Sequence, residues 1–229
     1  MKLKKIASLM LAGIMAVSML AGCKSGTPVD DDPSSSEQPT TSNAATMLES
    51  EMSGSAKDKV TPVANADLDN ALENAVEKYW NKDYKDYKNA ITGAAESLNG
   101  TNLVDVRAGA VGKAVKDALK ADYISIAGDE NNVPDHFNSN SHHSNKVVVE
   151  VYALDASVSD AYAMELLADK IDGCVTDLPD ESEDDTGSDY NYTYTMSASI
   201  SSRTENFAGV EFGIKYVAVM LTKNVAEKV

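Results

Sequence analysis

The sequence predicts an α+β fold, a two-layer domain in which helices pack on one face of an antiparallel sheet. Three observations support this class. Apolar residues recur at helical spacing within 66–119, β-branched residues cluster at 147–151, and residues 190–201 alternate between larger or apolar side chains and small polar ones. The predicted order from residue 66 onward is therefore helix, helix, strand, helix, strand, strand.

Three helices are expected in this domain. The first follows a cap at Asn65 or Asp67 and ends before Gly100. Its apolar stripe consists of Leu68, Leu72, Ala75, Tyr79, Tyr84, Tyr87, Ile91, Ala94 and Leu98. The second is expected to begin at Asn102, and the third to begin at a capping box of Ser157 and Asp160 and to end at Gly173. The second helix is expected to bury Val104, Ala108, Val111, Val115 and Leu119.

The strands follow from β-branched runs and from alternation. Val147-Val148-Val149 with Val151 predicts a strand buried on both faces. The first alternating strand places Tyr190, Tyr192, Tyr194, Met196, Ala198 and Ile200 on its core face. Its Ser/Thr face is interpreted as the solvated side of the sheet, with a ligand platform as the alternative. The last strand is expected to present a matching stripe of Val210, Phe212, Ile214, Tyr216, Ala218 and Met220.

The first residues have the pattern of an export signal. Lys2, Lys4 and Lys5 precede an apolar run over residues 6–21, which is shorter than the ~20 residues of a membrane-spanning helix. The run ends in Leu20-Ala21-Gly22-Cys23, which resembles the lipobox of bacterial lipoproteins. This resemblance, confined to 23 residues, implies cleavage after Gly22 and a diacylglycerol on the Cys23 sulfur. An ordinary secretory signal or an uncleaved anchor is the alternative.

The resemblance implies attachment to the lipid bilayer on the extracytoplasmic face of the cell membrane. Two acyl chains hold a protein there stably, whereas one holds it only marginally. Residues 1–22 are then the signal peptide, and 23–65 are the lipidated cysteine with a flexible tether, because residues 24–65 hold four of the six prolines and no aromatic residue. Residues 66–229 are the predicted globular domain.

The net charge and the number of cysteines argue against several classes of function. There are 36 acidic residues against 20 basic ones, a net charge of −16, which argues against a nucleic-acid partner. Two cysteines do not make a disulfide scaffold. With Cys23 lipidated, Cys174 is the remaining thiol, and at a predicted helix C-terminus it is expected to be a small buried apolar residue rather than a nucleophile.

Two clusters suggest metal ligands. The three histidines of the chain, His136, His142 and His143, lie within eight residues, and Asp135 precedes them. Imidazole and carboxylate groups suit Zn²⁺, although the spacing matches no known motif and a solvated polar loop is the alternative. Acidic residues without an intervening base suggest a weak Ca²⁺ site, with an acidic soluble loop favoured over it. The candidate Ca²⁺ ligands are Asp180, Glu183, Asp184 and Asp185.

The chain lacks the G-x-S-x-G, H-E-x-x-H and G-x-G-x-x-G motifs. We therefore expect a non-enzymatic module of the cell envelope that binds a small ligand or a partner protein and needs no cofactor. The first alternative is a metal-binding or metal-sensing protein that uses the histidine loop. The second is a cell-wall hydrolase, which requires carboxylates that converge only in three dimensions.

Overall fold

The computed structural model describes residues 43–93, 102–106, 109–122, 137, 144–183, 189–207 and 210–228. All of these residues belong to one compact unit, Pro39–Val229. The helices are α1 (Ala44–Glu51), α2 (Gly54–Lys59), α3 (Ala66–Gly93), α4 (Ala110–Leu119) and α5 (Asp160–Thr176). The strands are β1 (Val60–Pro62), β2 (Val104–Asp105), β3 (Lys146–Asp155), β4 (Glu181–Glu183), β5 (Asp189–Phe207) and β6 (Val210–Glu227).

The strands form one mixed sheet around a long hairpin. Its order is β1-β5-β6-β3-β2, and β4 also pairs with β5. β5 and β6 are antiparallel along their whole length, from Tyr190 opposite Glu227 to Phe207 opposite Val210. All pairs are antiparallel except β1 with β5, which is parallel. The α+β class is therefore confirmed, and the predicted antiparallel sheet acquires one parallel strand from the N-terminal segment.

The helices lie on both faces of the sheet, whereas the sequence predicted them on one. A first core joins one face of β3 to α1, α2 and α5, with Leu48, Met164 and Leu167 fully buried. A second core joins the other face to α3 and α4, with Leu72 and Val111 fully buried. β3 is buried at every position from 148 to 154, as expected for a strand between two layers. The even-numbered and the odd-numbered residues of β3 and β6 are both largely apolar. Each face of the sheet therefore requires its own cover of helices.

The last strand, β6, also contributes side chains to both cores. The predicted stripe that includes Ile214, Tyr216 and Ala218 lies in the second core, not beside the tyrosines of β5. Tyr192 is paired with Val225, and the residues that join the tyrosine stripe in the first core are Val217, Val219 and Leu221. The Ser/Thr face of β5 is also partly covered, since Ser197 is 1% exposed and Ser199 is 2% exposed. It is not uniformly the solvated side that the sequence predicted.

The fold begins earlier than the sequence predicted. Residues 43–65, assigned to the flexible tether, contain α1, α2 and β1, and β1 extends the sheet by pairing with β5. Their contribution to the first core is a repeat at every fourth position, namely Ala44, Leu48, Met52, Ala56 and Val60. The average composition of residues 24–65 conceals this short apolar periodicity. Burial of that stripe provides the free energy that offsets the ordering of the segment.

The predicted starts of the three helices agree with the structure to different degrees. The side chain of Asn65 accepts a 2.9 Å hydrogen bond from the Leu68 amide, which confirms it as the cap of α3. α4 begins at Ala110 rather than Asn102, because Val104–Asp105 instead pairs with β3. α5 is capped by Ser159 rather than Ser157, and it continues past Gly173 to Thr176. The Ser157 amide donates to the Asp155 side chain, so Ser157 belongs to the turn before the helix.

Candidate functional site

The predicted metal and lipid sites lie mostly outside the described residues. This holds for Cys23, for Asp135, His136, His142 and His143, and for Asp184 and Asp185. Within the ranges that the structure describes, no group of three His, Cys, Asp or Glu residues is placed to hold a metal ion. No helix among those ranges is both long and apolar enough to cross a membrane.

The structure describes two of the predicted Ca²⁺ ligands, namely Asp180 and the backbone of Glu183. The carboxylate of Asp180 accepts two hydrogen bonds of 2.9 Å from Nζ of Lys59, which joins the end of α2 to the start of β4. The backbone of Glu183 pairs with Asp189 in the sheet. Asp180 is therefore engaged with a lysine in this structure, although its side chain is 76% exposed and the ion pair contributes little stability.

Cys174 is buried in the first core, on the inner side of α5. It is 6% exposed, as predicted for a small apolar residue. A thiol in an apolar environment is chemically inert, because desolvation disfavours the thiolate. This residue therefore belongs to the packing of the helix and not to a reactive site.

A groove of about 310 Å³ lies between α3 and α4. Its walls combine small apolar and polar side chains: Ala71, Asn74, Ala75, Lys78, Tyr79, Ala114, Asp117 and Ala118. Four alanines leave the space, because a larger side chain at these positions would close the gap between the two helices. A volume of this size is at the lower end of the range for small-molecule sites.

The groove has an apolar floor and a charged rim. Ala71 and Ala75 are almost completely buried, at 8% and 3% exposure, and their methyl groups form the base. Lys78 on α3 and Asp117 on α4 are exposed on the rim, so each helix contributes one charge of opposite sign. The Lys78 ammonium lies 5.2 Å from the centre of the Tyr79 ring. The site can accept a small apolar group that carries a polar or charged end.

The aromatic residues of α3 are divided between this groove and the core. Tyr79 and Trp80 are partly buried and pack against the second core, and Tyr79 also lines the groove. Further tyrosines and lysines follow on α3 up to Lys88, in a pattern more typical of a salt-bridged exposed face, but the side chains of residues 81–93 are not among those that the structure describes. Of the described residues in this part of α3, Lys78 and Tyr79 line the groove.

A second polar site is enclosed in the first core. Lys223 is fully buried, and its Nζ donates a 2.6 Å hydrogen bond to the main-chain oxygen of Phe137. The same Nζ lies 4.4 Å from the centre of the Tyr192 ring and 5.8 Å from that of Phe137. Burial, with a smaller effect of the neighbouring charge of Lys146, lowers the pKa of Lys223 to about 8. The aromatic faces partly replace the water that the ammonium loses.

Tyr194 lies beside this lysine in the sheet register. Its hydroxyl donates a 2.7 Å hydrogen bond to the carbonyl oxygen of Pro179, and its ring centre lies 5.7 Å from that of Phe137. Burial first, and then the charges of Tyr192 and Asp180, raise the pKa of Tyr194, so its hydroxyl remains protonated over the physiological range. Lys223 and Tyr194 thus each bind a main-chain carbonyl, which makes the cluster an anchor for the chain around Phe137 and Pro179.

Neither the groove nor the buried Lys223 is among the sites predicted from the sequence. The groove has a weak signal, namely alanines four residues apart on both helices, at 71 and 75 and at 114 and 118. Lys223 has a clearer signal in the sequence. It follows Val219 and Leu221 at alternate positions of the same strand, so its side chain faces the core as theirs do. A charged residue at an inward position indicates a buried ion that requires specific partners.

Comparisons of the chain with protein-family models, with curated proteins and with solved structures gave no match. The assignment of function therefore depends on the geometry of the groove and on the N-terminal motif.

Proposed function

We propose that this chain is a bacterial lipoprotein, anchored by a diacylglyceryl group on Cys23 at the extracytoplasmic face of the cell membrane, and that its domain is a non-enzymatic binding module. The N-terminal part of the proposal is supported by the lipobox-like motif Leu20-Ala21-Gly22-Cys23 after a basic and apolar segment. The domain then stands outside the membrane, where it meets envelope proteins and small solutes. Neither a nucleic acid nor a cofactor is part of the proposal.

The groove between α3 and α4 carries the binding part of the proposal. Its alanine floor offers apolar contact, and Lys78 and Asp117 offer one charge of each sign at the rim. The ligand class that fits is a small molecule, or a side chain of a partner protein, with an apolar body and a polar end. Charged groups on rigid helices orient such a ligand without a large conformational cost.

Three of the described titratable residues in the core have structural roles, which supports a binding module. Lys223 and Tyr194 both donate to main-chain carbonyls, and Cys174 is packed inside α5. Each has a structural partner or environment that accounts for it. A general acid or base instead needs to reach a substrate proton from a cleft.

The groove is tested with an apolar fluorescent anion, 1-anilinonaphthalene-8-sulfonate, whose sulfonate matches the Lys78 ammonium. Ala118→Trp fills the groove from an exposed position of α4, and Lys78→Glu reverses the rim charge. We expect each variant to weaken dye binding at least tenfold. Lys113→Glu, an exposed lysine of α4 that does not line the groove, is the matched control and leaves binding unchanged. Equal binding by all four proteins would remove the groove from the proposal.

The anchor is tested separately, by metabolic labelling with a radioactive fatty acid in a bacterial host. The full chain is expected to incorporate label and to sediment with membranes. A Cys23→Ser variant is expected to lose both properties, while Cys174→Ser retains them. Label that persists in Cys23→Ser would contradict lipidation at this residue.

A further inference from the structure

The two charges on the rim of the groove do not neutralise each other. Lys78 of α3 and Asp117 of α4 both line the groove, one from each helix. Among the described side chains neither forms an ion pair, so the Lys78 ammonium and the Asp117 carboxylate lie more than 4.0 Å apart. The Lys78 ammonium lies 5.2 Å from the centre of the Tyr79 ring, which lines the same groove. The groove therefore presents two separate charges of opposite sign.

Each helix directs toward the groove the charge that is rare on that helix. Between residues 66 and 80, α3 carries four acids and one base, and that base is Lys78. α4 carries two lysines and one acid, and that acid is Asp117. The exposed acids of α3 and the exposed Lys113 of α4 do not line the groove. A ligand in the groove therefore contacts a cation on one wall and a carboxylate on the other, while salt screens the more distant charges.

An α-amino acid has the matching arrangement of charges. Its ammonium nitrogen and its carboxylate carbon are bonded to the same carbon atom, so they lie about 2.5 Å apart. A charge-assisted hydrogen bond is about 2.7–2.9 Å long. A zwitterion that bonds Asp117 through its ammonium and Lys78 through its carboxylate therefore needs a gap between these side chains that is wider than a direct ion pair. The separation of the two rim charges provides such a gap.

The floor and the volume of the groove determine which amino acids fit. Ala71 and Ala75 are 8% and 3% exposed, and their methyl groups offer apolar contact at the base. A volume of about 310 Å³ holds about ten water molecules at ~30 Å³ each, and leucine has about as many non-hydrogen atoms. A polar side chain on the alanine floor would lose hydrogen bonds to water, whereas an aliphatic one gains from burial.

We propose that the groove binds a free α-amino acid with an aliphatic side chain, held as a zwitterion between Lys78 and Asp117. This inference rests on the proposed function and specifies the ligand class of the same groove. The ligand has no net charge, so the net charge of −16 on the chain does not repel it. Both contacts come from helices, whose backbones need not rearrange to receive the ligand.

Three ligands with the same aliphatic body test both contacts. Leucine carries both charges, 3-methylbutylamine lacks the carboxylate, and 4-methylpentanoate lacks the ammonium. Their dissociation constants are measured by ligand-observed NMR with the full chain in a mild detergent. We expect leucine to bind at least threefold more tightly than either analogue. Equal binding by the three ligands overturns the inference.

Each rim charge is expected to control one of the two comparisons. Asp117→Asn removes the preference for leucine over 4-methylpentanoate and retains the preference over 3-methylbutylamine, and Lys78→Met has the reverse effect. Glu77→Gln and Lys113→Met, at exposed positions that do not line the groove, are the matched controls and keep both preferences. Preferences that persist in both rim variants overturn the proposed contacts.

The dye experiment separates a failure of this inference from a failure of the groove. We expect Ala118→Trp to weaken the binding of both the dye and leucine. If it weakens dye binding while leucine shows no preference over its analogues, the groove stands and the zwitterion is wrong. If it leaves both dye binding and leucine binding unchanged, the groove is not the site, and the binding part of the proposed function fails together with this inference.

Discussion

The ammonium of Lys223 on β6 donates a 2.6 Å hydrogen bond to the main-chain oxygen of Phe137, 86 residues earlier in the chain. Both residues are fully buried in the first core. The contact holds the backbone at Phe137, the residue after His136 in sequence. The group that makes it is an ammonium that burial has removed from water. A buried ion of this kind stabilises one arrangement at a cost in desolvation.

The pH dependence of stability is expected to report this cost. The folded protein releases the Lys223 proton near a pKa of about 8, whereas the unfolded chain keeps it up to 10.5. Between these values the unfolded state binds more protons, so the free energy of unfolding rises with pH. Relative to Lys223→Met, we expect wild type to gain on the order of 2 kcal/mol between pH 7 and 9.5.

Urea unfolding of both proteins at several pH values measures this difference. Lys223→Met retains the length and apolar stem of the side chain, so contributions from other groups cancel in the comparison. A constant difference across the range would show that Lys223 has the same proton affinity in the folded and unfolded states. The comparison stops below pH 10, because tyrosines begin to ionise there in the unfolded chain.

Gly213 of β6 is a position of close approach. An added Cβ would lie 2.4 Å from Cβ of Ala156 and 2.8 Å from Cγ2 of Thr204. The Gly213 carbonyl also accepts from the Ala156 amide at 3.1 Å, so the two segments cannot separate without loss of this bond. We expect Gly213→Ala to lower the free energy of unfolding by about 1–3 kcal/mol in chemical denaturation.

The matched control is Gly173→Ala in α5. Apart from the backbone of its own helix and its chain neighbours, no atom in the described part of the chain lies within 4 Å of its added Cβ, and the residue is inside a helix. Alanine is favoured there by roughly 0.5–1 kcal/mol, so this variant is expected to be more stable than wild type. If both substitutions had the same sign, the packing at Gly213 would not be the cause.

The early start of the fold is tested at Leu48. Its side chain is fully buried in the first core, and Leu48→Ala is expected to cost about 2–5 kcal/mol in the free energy of unfolding. Glu51→Ala, at an exposed position of the same helix, is expected to change it by less than about 0.5 kcal/mol. A flexible tether over residues 23–65 instead predicts no effect from either substitution.

The metal alternative is tested by the thermal midpoint of residues 39–229 after treatment with a chelator, and again with Zn²⁺ or Ca²⁺. A ligand at a hundred times its dissociation constant adds about 2.7 kcal/mol, which moves the midpoint by several degrees. The proposed binding module predicts no shift with either ion. A Zn²⁺ shift that is lost in His142→Ala with His143→Ala would favour the metal-binding function, and a Ca²⁺ shift would favour the acidic segment.

Local patterns in the sequence were sufficient for several parts of the fold. The α+β class, the cap at Asn65 and the tyrosine stripe of β5 all follow from interactions within a few residues along the chain. The same holds for the burial of both faces of β3, because a continuous β-branched run indicates it without any knowledge of the covering layers. These features depend on backbone geometry and side-chain periodicity, which are local properties.

Features that depend on remote neighbours required the tertiary structure. Val104–Asp105 looked helical by spacing, but it pairs with β3, since the gain from an added strand exceeds a weak local preference for helix. The groove exists only because alanines on α3 meet alanines on α4, and Lys223 is recognisable as an anchor only once Phe137 is beside it.

The fold class and the alternating core stripe are predictable from the sequence, because each depends on the spacing of nearby residues, and a pattern of the same local kind predicts the export signal. The cover of helices on both faces of the sheet and the start of the fold at α1 become visible only in the folded chain. Burial and pairing are properties of surfaces that the whole chain brings together, and periodicity along one segment does not specify what will lie against it.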